Sequence, residues 1–164
     1  MEFEWDQDAP PLDGELLYRQ DEYSIDFEVA SKLVLAERVG SAGVTSISFT
    51  TLQIEVGIER RGLLYAWGLF PKTRWQLGQL SVPILQPGRV RVISDGEELR
   101  PGVAIPFHES TGWSVAWDQS TGWIRFGNGA FHGTGTGVEF AKNLAVVIAE
   151  GTLISIWLRP KMVS

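Results

Sequence analysis

The sequence predicts an all-β domain, an antiparallel β-sandwich or flattened barrel of about ten to twelve short strands. Three observations carry that reading. Apolar and polar residues alternate over many short runs, as in Tyr23-Ser-Ile-Asp-Phe-Glu-Val29 and Arg89-Val-Arg-Val-Ile93. Eighteen glycines and eight prolines are spread along 164 residues instead of being clustered, so turn signals recur at short intervals. The tetrapeptide Ser-Thr-Gly-Trp occurs twice, at 110–113 and 120–123, around the alternating stretch Trp113-Ser-Val-Ala-Trp117. A polar residue before Ser-Thr-Gly fits a type I turn closed by glycine at positive φ, and the pair of turns predicts a three-stranded meander over about 103–108, 113–118 and 123–127.

Residues 1–20 read as an acidic, partly ordered N-terminal arm, broken by Pro10-Pro11 and Gly14, ahead of a single domain over 21–160. Phe3 and Trp5 are out of place in a solvated tail, so the arm is expected to dock, on its own domain or on a partner. Tyr23–Val29 is a half-buried strand. Ala30–Val39 is ambiguous: Leu33, Leu35 and Glu37 alternate as a strand would, while Leu33, Val34, Glu37 and Arg38 suit a short helix. The strand neighbours favour strand. Thr45–Phe49 and Leu52–Val56 show apolar residues at odd and then even positions, which one long strand reconciles with a bulge at Thr50-Thr51. Glu59–Gly62 is a hairpin turn before a strand ending near Phe70. Pro83 makes the run Leu80–Ile84 an edge or irregular strand. Arg89–Ile93, Val138–Phe140, Leu144–Ala149 and Thr152–Leu158 complete the set, and the glycine-rich stretch 127–137 is a loop.

Charge divides the chain. Residues 1–28 hold ten acids and one base, and the remainder ten acids and thirteen bases. Arg60, Arg61, Lys72, Arg74, Arg89, Arg91 and Arg100 form the most basic window, so an acidic arm and a basic surface are expected to meet within one chain or between subunits. Net charge of −6 argues against nucleic acid. No apolar run is long enough to span a membrane and the first residues are acidic where a secretory signal is basic, which makes a cytoplasmic protein the expectation. Without cysteine there is no thiolate site or disulfide.

No catalytic constellation emerges. His108 and His132 lack metal-ligand spacing. Ser110 and Ser120 are explained by turns, and no Gly-x-Ser-x-Gly is present. Glu109 with Asp118 is a carboxylate pair of the kind any acidic all-β chain offers. Gly133–Gly137 lacks the lysine and helix of a phosphate loop. Neither cofactor nor metal is implied.

The leading expectation is therefore a non-catalytic binding module acting in protein–protein interaction or self-assembly, as a homo-oligomer or with another protein. Phe3 and Trp5 would serve as anchors and Arg60, Arg61, Arg89 and Arg91 as receivers of acidic groups. The alternative is a carbohydrate or small-ligand binder using Trp113, Trp117 and Trp123 as a platform, with the glycine-rich loop as a flap. A third is a small acid–base enzyme around His108 or His132.

Overall fold

A computed structural model describes residues 1–93, 96, 98–129 and 134–164. It is an all-β, sandwich-like fold of two open seven-stranded sheets and a two-stranded ribbon. In chain order the strands are β1 (Glu2–Asp6), β2 (Gly14–Arg19), β3 (Ser24–Val29), β4 (Val44–Phe49), β5 (Leu52–Gly57), β6 (Leu63–Leu69), β7 (Trp75–Leu77) and β8 (Leu85–Pro87). They continue with β9 (Arg89–Ile93), β10 (Ile105–Pro106), β11 (Ser114–Trp117), β12 (Ile124–Gly127), β13 (Thr136–Ala141), β14 (Leu144–Ala149), β15 (Thr152–Leu158) and β16 (Lys161–Val163).

The first sheet runs β10-β4-β5-β6-β3-β2-β16 and the second β7-β11-β12-β15-β14-β13-β8. Their inner faces share one core, with Tyr18, Phe49, Ile54 and Phe70 from the first sheet side meeting Phe126, Phe140, Val146 and Ile156 from the second. β1 and β9 form the ribbon, which touches β6 on one side and β13 and β15 on the other. Among the described residues no helix is long and apolar enough to cross a membrane.

Residues 1–20 are built into this frame. β1 pairs antiparallel with β9 over five residues, and β2 lies between β3 and β16. The charge division explains the ribbon's register: Glu4 stands opposite Arg91 and Asp6 opposite Arg89, and Arg91 reaches Glu4 at 3.3 Å and Asp6 at 2.8 Å. The acidic arm and the basic surface meet within one chain.

Three local expectations need correction. Residues 32–39 form a helix, α1 (Lys32–Val39), not a strand. Ser31 caps it by accepting from the Val34 N–H, and Gly40 ends it at φ +77, so the capping residues outweigh the short alternation. Thr50-Thr51 is a two-residue hairpin turn, not a bulge. Phe49 pairs with Leu52, Ile47 with Ile54 and Thr45 with Val56, which puts the odd set of β4 and the even set of β5 on one face without any insertion.

The meander loses its first strand: β10 joins the opposite sheet, parallel to β4, and the free edge of β11 is taken by β7. The cause lies in the two copies of Ser-Thr-Gly-Trp. In the second, Asp118 sits two residues before Ser120 and its carboxylate accepts from both the Ser120 N–H (3.0 Å) and hydroxyl (2.6 Å). That closes a turn with Gly122 at φ +83. In the first copy the equivalent position is His108, which offers no such carboxylate. There Ser110 donates to the Phe107 carbonyl and residues 108–112 wind into a 3-10 turn instead.

Candidate functional site

β14 and most of β15 are apolar on both faces, and β12 between β11 and β15 is buried throughout. Their outer face carries a second cluster of Trp123, Ala145, Val147, Ile154 and Trp157, against which Leu80 and Val82 pack. Such two-sided burial requires something to cover the sheet. The cover is the segment 78–84, which leaves β7 at one edge of the second sheet and enters β8 at the other. Six strand spacings of about 4.8 Å place those edges roughly 29 Å apart. The eight steps from Leu77 to Leu85 reach at most about 29 Å, so a strap of this length crosses the twisted face only as an extended chain.

Between the strap, the sheet and the described end of the glycine-rich stretch lies a cavity of about 920 Å³. Leu80, Val82, Val147, Ile154 and Trp157 give it apolar walls, and Gln79, Gln86, Thr136 and Ser155 add hydrogen-bonding groups. Arg125 is the charged residue among the described lining residues. It is 8 % exposed and its Nη2 donates to the Asn128 carbonyl at 2.7 Å. Burial weakens its hold on its proton, the sign of a guanidinium poorly reached by water. Ser155 Oγ accepts from the Trp157 indole N–H at 3.1 Å, which leaves the hydroxyl proton to donate elsewhere.

Asp118 latches the strap. Its Oδ2 accepts from the Leu80 N–H at 3.0 Å while its Oδ1 holds Ser120. Hydrogen bonds from Ser120 and then from Leu80 keep its carboxyl below the usual carboxylate range. Since the folded-state value is depressed, the latch contributes stability above the ordinary aspartate range and loses it as pH falls through the lower, folded-state value. Replacing Asp118 by alanine is expected to speed amide exchange at Leu80 by roughly tenfold, read by hydrogen–deuterium exchange. Unchanged exchange at Leu80 would show that the strap is held by its apolar side chains alone.

The structure separates the predicted tryptophan platform. Trp113 and Trp117 face inward, packed against the shared core, with Trp113 beside Phe49, Phe107 and Phe126 and Trp117 edge-on to Trp75. Trp123 points the other way, into the outer cluster, 6.4 Å from Trp157 and under Arg159. Of the predicted partner-binding residues, Phe3 is buried and Trp5 packs on the core. Arg91 pairs with Glu4 and Asp6, Arg61 Nε donates to the Val92 carbonyl, Arg89 is half-buried opposite Asp6, and Arg60 is exposed. His108 is exposed, and His132 lies outside the described residues.

Sequence reading passed over Arg125, Ser155 and Trp157. For Ser155 and Trp157 the signal was the run Leu153–Leu158, apolar on both faces apart from Ser155, with Leu80–Ile84 as an apolar segment to cover it; Arg125, alternating with Ile124 and Phe126, gave none. An exposed tryptophan does exist, on the outer face of the first sheet. Trp67 is 40 % exposed, directly across from Gln53 and near Tyr65 and Glu55. Burial pushes the Glu55 carboxyl up, against hydrogen bonds from Tyr65 and Trp67.

No protein-family model matches the chain, and no curated protein matches it.

Proposed function

We propose that this chain is a non-catalytic binding module that takes a small ligand in the cavity beneath the strap. The observation that carries this reading is the cavity itself: about 920 Å³ between the strap and the outer face of the second sheet, lined by both apolar side chains and hydrogen-bonding groups. Ligand sites commonly measure about 300–1,000 Å³ and have this make-up. Assembly through the arm draws less support, because Glu4, Asp6 and Phe3 are engaged within their own chain.

The test is a thermal-shift screen of small compounds on the wild type and on Val147→Trp, which puts a large ring into the cavity from the outer face of β14. Compounds that stabilise the wild type and not the variant support the reading. Equal stabilisation of both proteins, or a screen without any stabilising compound, counts against it.

A second reading rests on Trp67. An exposed indole on a sheet face, flanked by Gln53 and Glu55, suits stacking against a sugar ring. Its check is an oligosaccharide titration in which Trp67→Ala removes the emission change.

A further inference from the structure

Six of the seven tryptophans are buried or packed on one of the two apolar clusters. Trp67 is the exception. It stands 40 % exposed on the outer face of the first sheet, and Leu69, 54 % exposed, shares that face two residues further along β6. We infer that this face binds a neutral oligosaccharide, one ring stacked on Trp67 and its hydroxyls held by Gln53 and Glu55. The inference rests on the reading of Trp67 as a sugar platform, and it names the class of sugar.

The platform is held in place before any ligand arrives. Gln53 lies directly across from Trp67, and Glu55 follows two residues along β5. The Tyr65 hydroxyl donates to the Glu55 carboxylate at 3.5 Å, and the Trp67 indole N–H donates to it as well. With its edge tied, the indole offers a ring face already fixed, which spares a ligand the cost of ordering it. Gln53 is also oriented: its Oε1 accepts from the Ser46 hydroxyl at 3.0 Å, so its amide N–H groups remain to donate. A sugar ring stacks its C–H face on an indole and turns its hydroxyls outward, where each both donates and accepts. An amide donor and a carboxylate acceptor beside the platform suit such groups.

The same carboxylate selects among sugars. No cation among the described residues forms an ion pair with Glu55, and Arg19, on β2, is engaged with Asp26 and Glu28. Burial, followed by the charges of Glu55 and Asp26, raises the Tyr65 hydroxyl, so carboxylates border the patch from both neighbouring strands. An acidic sugar would set like charges side by side. A proline-rich peptide fits less well, because it needs an aromatic-lined groove. Tyr65 does not build the second wall of one. It lies flat on Phe27, with ring centroids 5.7 Å and planes 7° apart.

Calorimetric titration with two matched pairs tests this: cellohexaose against a glucuronate hexamer of the same linkage, and mannohexaose against the corresponding mannuronate hexamer. At least one neutral hexamer should bind, and about tenfold or more tightly than its acidic counterpart. Trp67→Ala, at a position already exposed, should abolish that binding. Glu55→Gln keeps the shape and removes the charge, so it should close most of the gap between neutral and acidic hexamers. If Glu55→Gln fails to fold, raising the salt concentration on the wild type should narrow the same gap by screening. Neutral and acidic hexamers binding equally, with both lost in Trp67→Ala, overturns the choice of a neutral sugar and leaves the platform standing. Binding that survives Trp67→Ala, or no binding by any of the four, overturns both. A proline-rich peptide that binds where the hexamers do not, and is lost in Trp67→Ala, also overturns both and gives the face to peptides.

Discussion

Replacing Tyr18 by phenylalanine should destabilise the fold by about 1–3 kcal/mol, and replacing it by alanine by about 3–5 kcal/mol. Tyr18 is fully buried in β2, and its hydroxyl makes two hydrogen bonds to a neighbouring segment. It donates to the Phe70 carbonyl at 2.8 Å and accepts from the Lys72 N–H at 3.0 Å. Phenylalanine leaves both backbone groups short of a partner in the same packing. Alanine also removes a ring whose centroid lies 4.7 Å from that of Trp75.

The position matters beyond its own contacts. Phe70 to Arg74 is where the chain leaves the first sheet and enters the second, and Trp75 opens β7, from which the strap departs. Tyr18 therefore pins the root of the cavity's roof from the opposite sheet. Urea denaturation at fixed pH measures the loss, and a Tyr18→Phe variant as stable as wild type would refute it. A pH signature accompanies it. Burial raises the Tyr18 hydroxyl above its ordinary value. Stability tied to the neutral hydroxyl is complete below the ordinary tyrosine range and is lost as pH rises through the folded-state value, a slope that Tyr18→Phe lacks.

Where residues read correctly from the sequence, the information was local. Leu144–Ala149 has no polar face because both faces are covered, and its uninterrupted apolar run said so directly. The switch from odd to even apolar positions between Phe49 and Leu52 was also real; only its cause, a hairpin instead of a bulge, needed the pairing. Where reading failed, a distant partner decided. Ser-Thr-Gly-Trp adopts two conformations because a residue outside the motif differs, Asp118 in one copy and His108 in the other. Trp113 and Trp123 look alike in sequence, yet ten residues and a reversal of chain direction set them on opposite faces of one sheet.

The candidate site was harder still. Arg125 alternates with Ile124 and Phe126 as a surface arginine does on a strand with one wet face. Only the strap, crossing from one sheet edge to the other, turns that face into an interior. A crossover of this kind misleads, since Leu80, Val82 and Ile84 alternate as strand residues do, yet the segment lies outside both sheets and is held through the Leu80 N–H on Asp118.

Removing residues 1–8 should collapse the stability of the chain, and with it any cooperative unfolding transition near physiological temperature. The deletion takes away β1, and so the ribbon's five-residue pairing and the bond from the Phe3 N–H to the Gly151 carbonyl at 2.8 Å. It also opens the core at Phe3, which is 2 % exposed and lies 6.0 Å from Phe107 between ring centroids. Phe3→Ala alone is expected to cost about 3–5 kcal/mol. Against a total stability that in domains of this kind is about 5–15 kcal/mol, that is a large share.

The acidic residues of the same strand should behave differently. Glu4 and Asp6 pair with Arg91 where water still reaches the pair, so Glu4→Gln and Asp6→Asn should each change stability by about 1 kcal/mol or less. Urea denaturation ranks the three variants, and sedimentation velocity on the same samples reports association. Phe3→Ala far below the two charge variants, with sedimentation unchanged wherever the protein remains folded, marks β1 as a structural strand. A folded, stable Phe3→Ala protein with a smaller sedimentation coefficient would instead return the arm to a partner-binding role. In the expected ranking, the charges set β1's register against β9 and the Phe3 side chain supplies the energy that keeps it there.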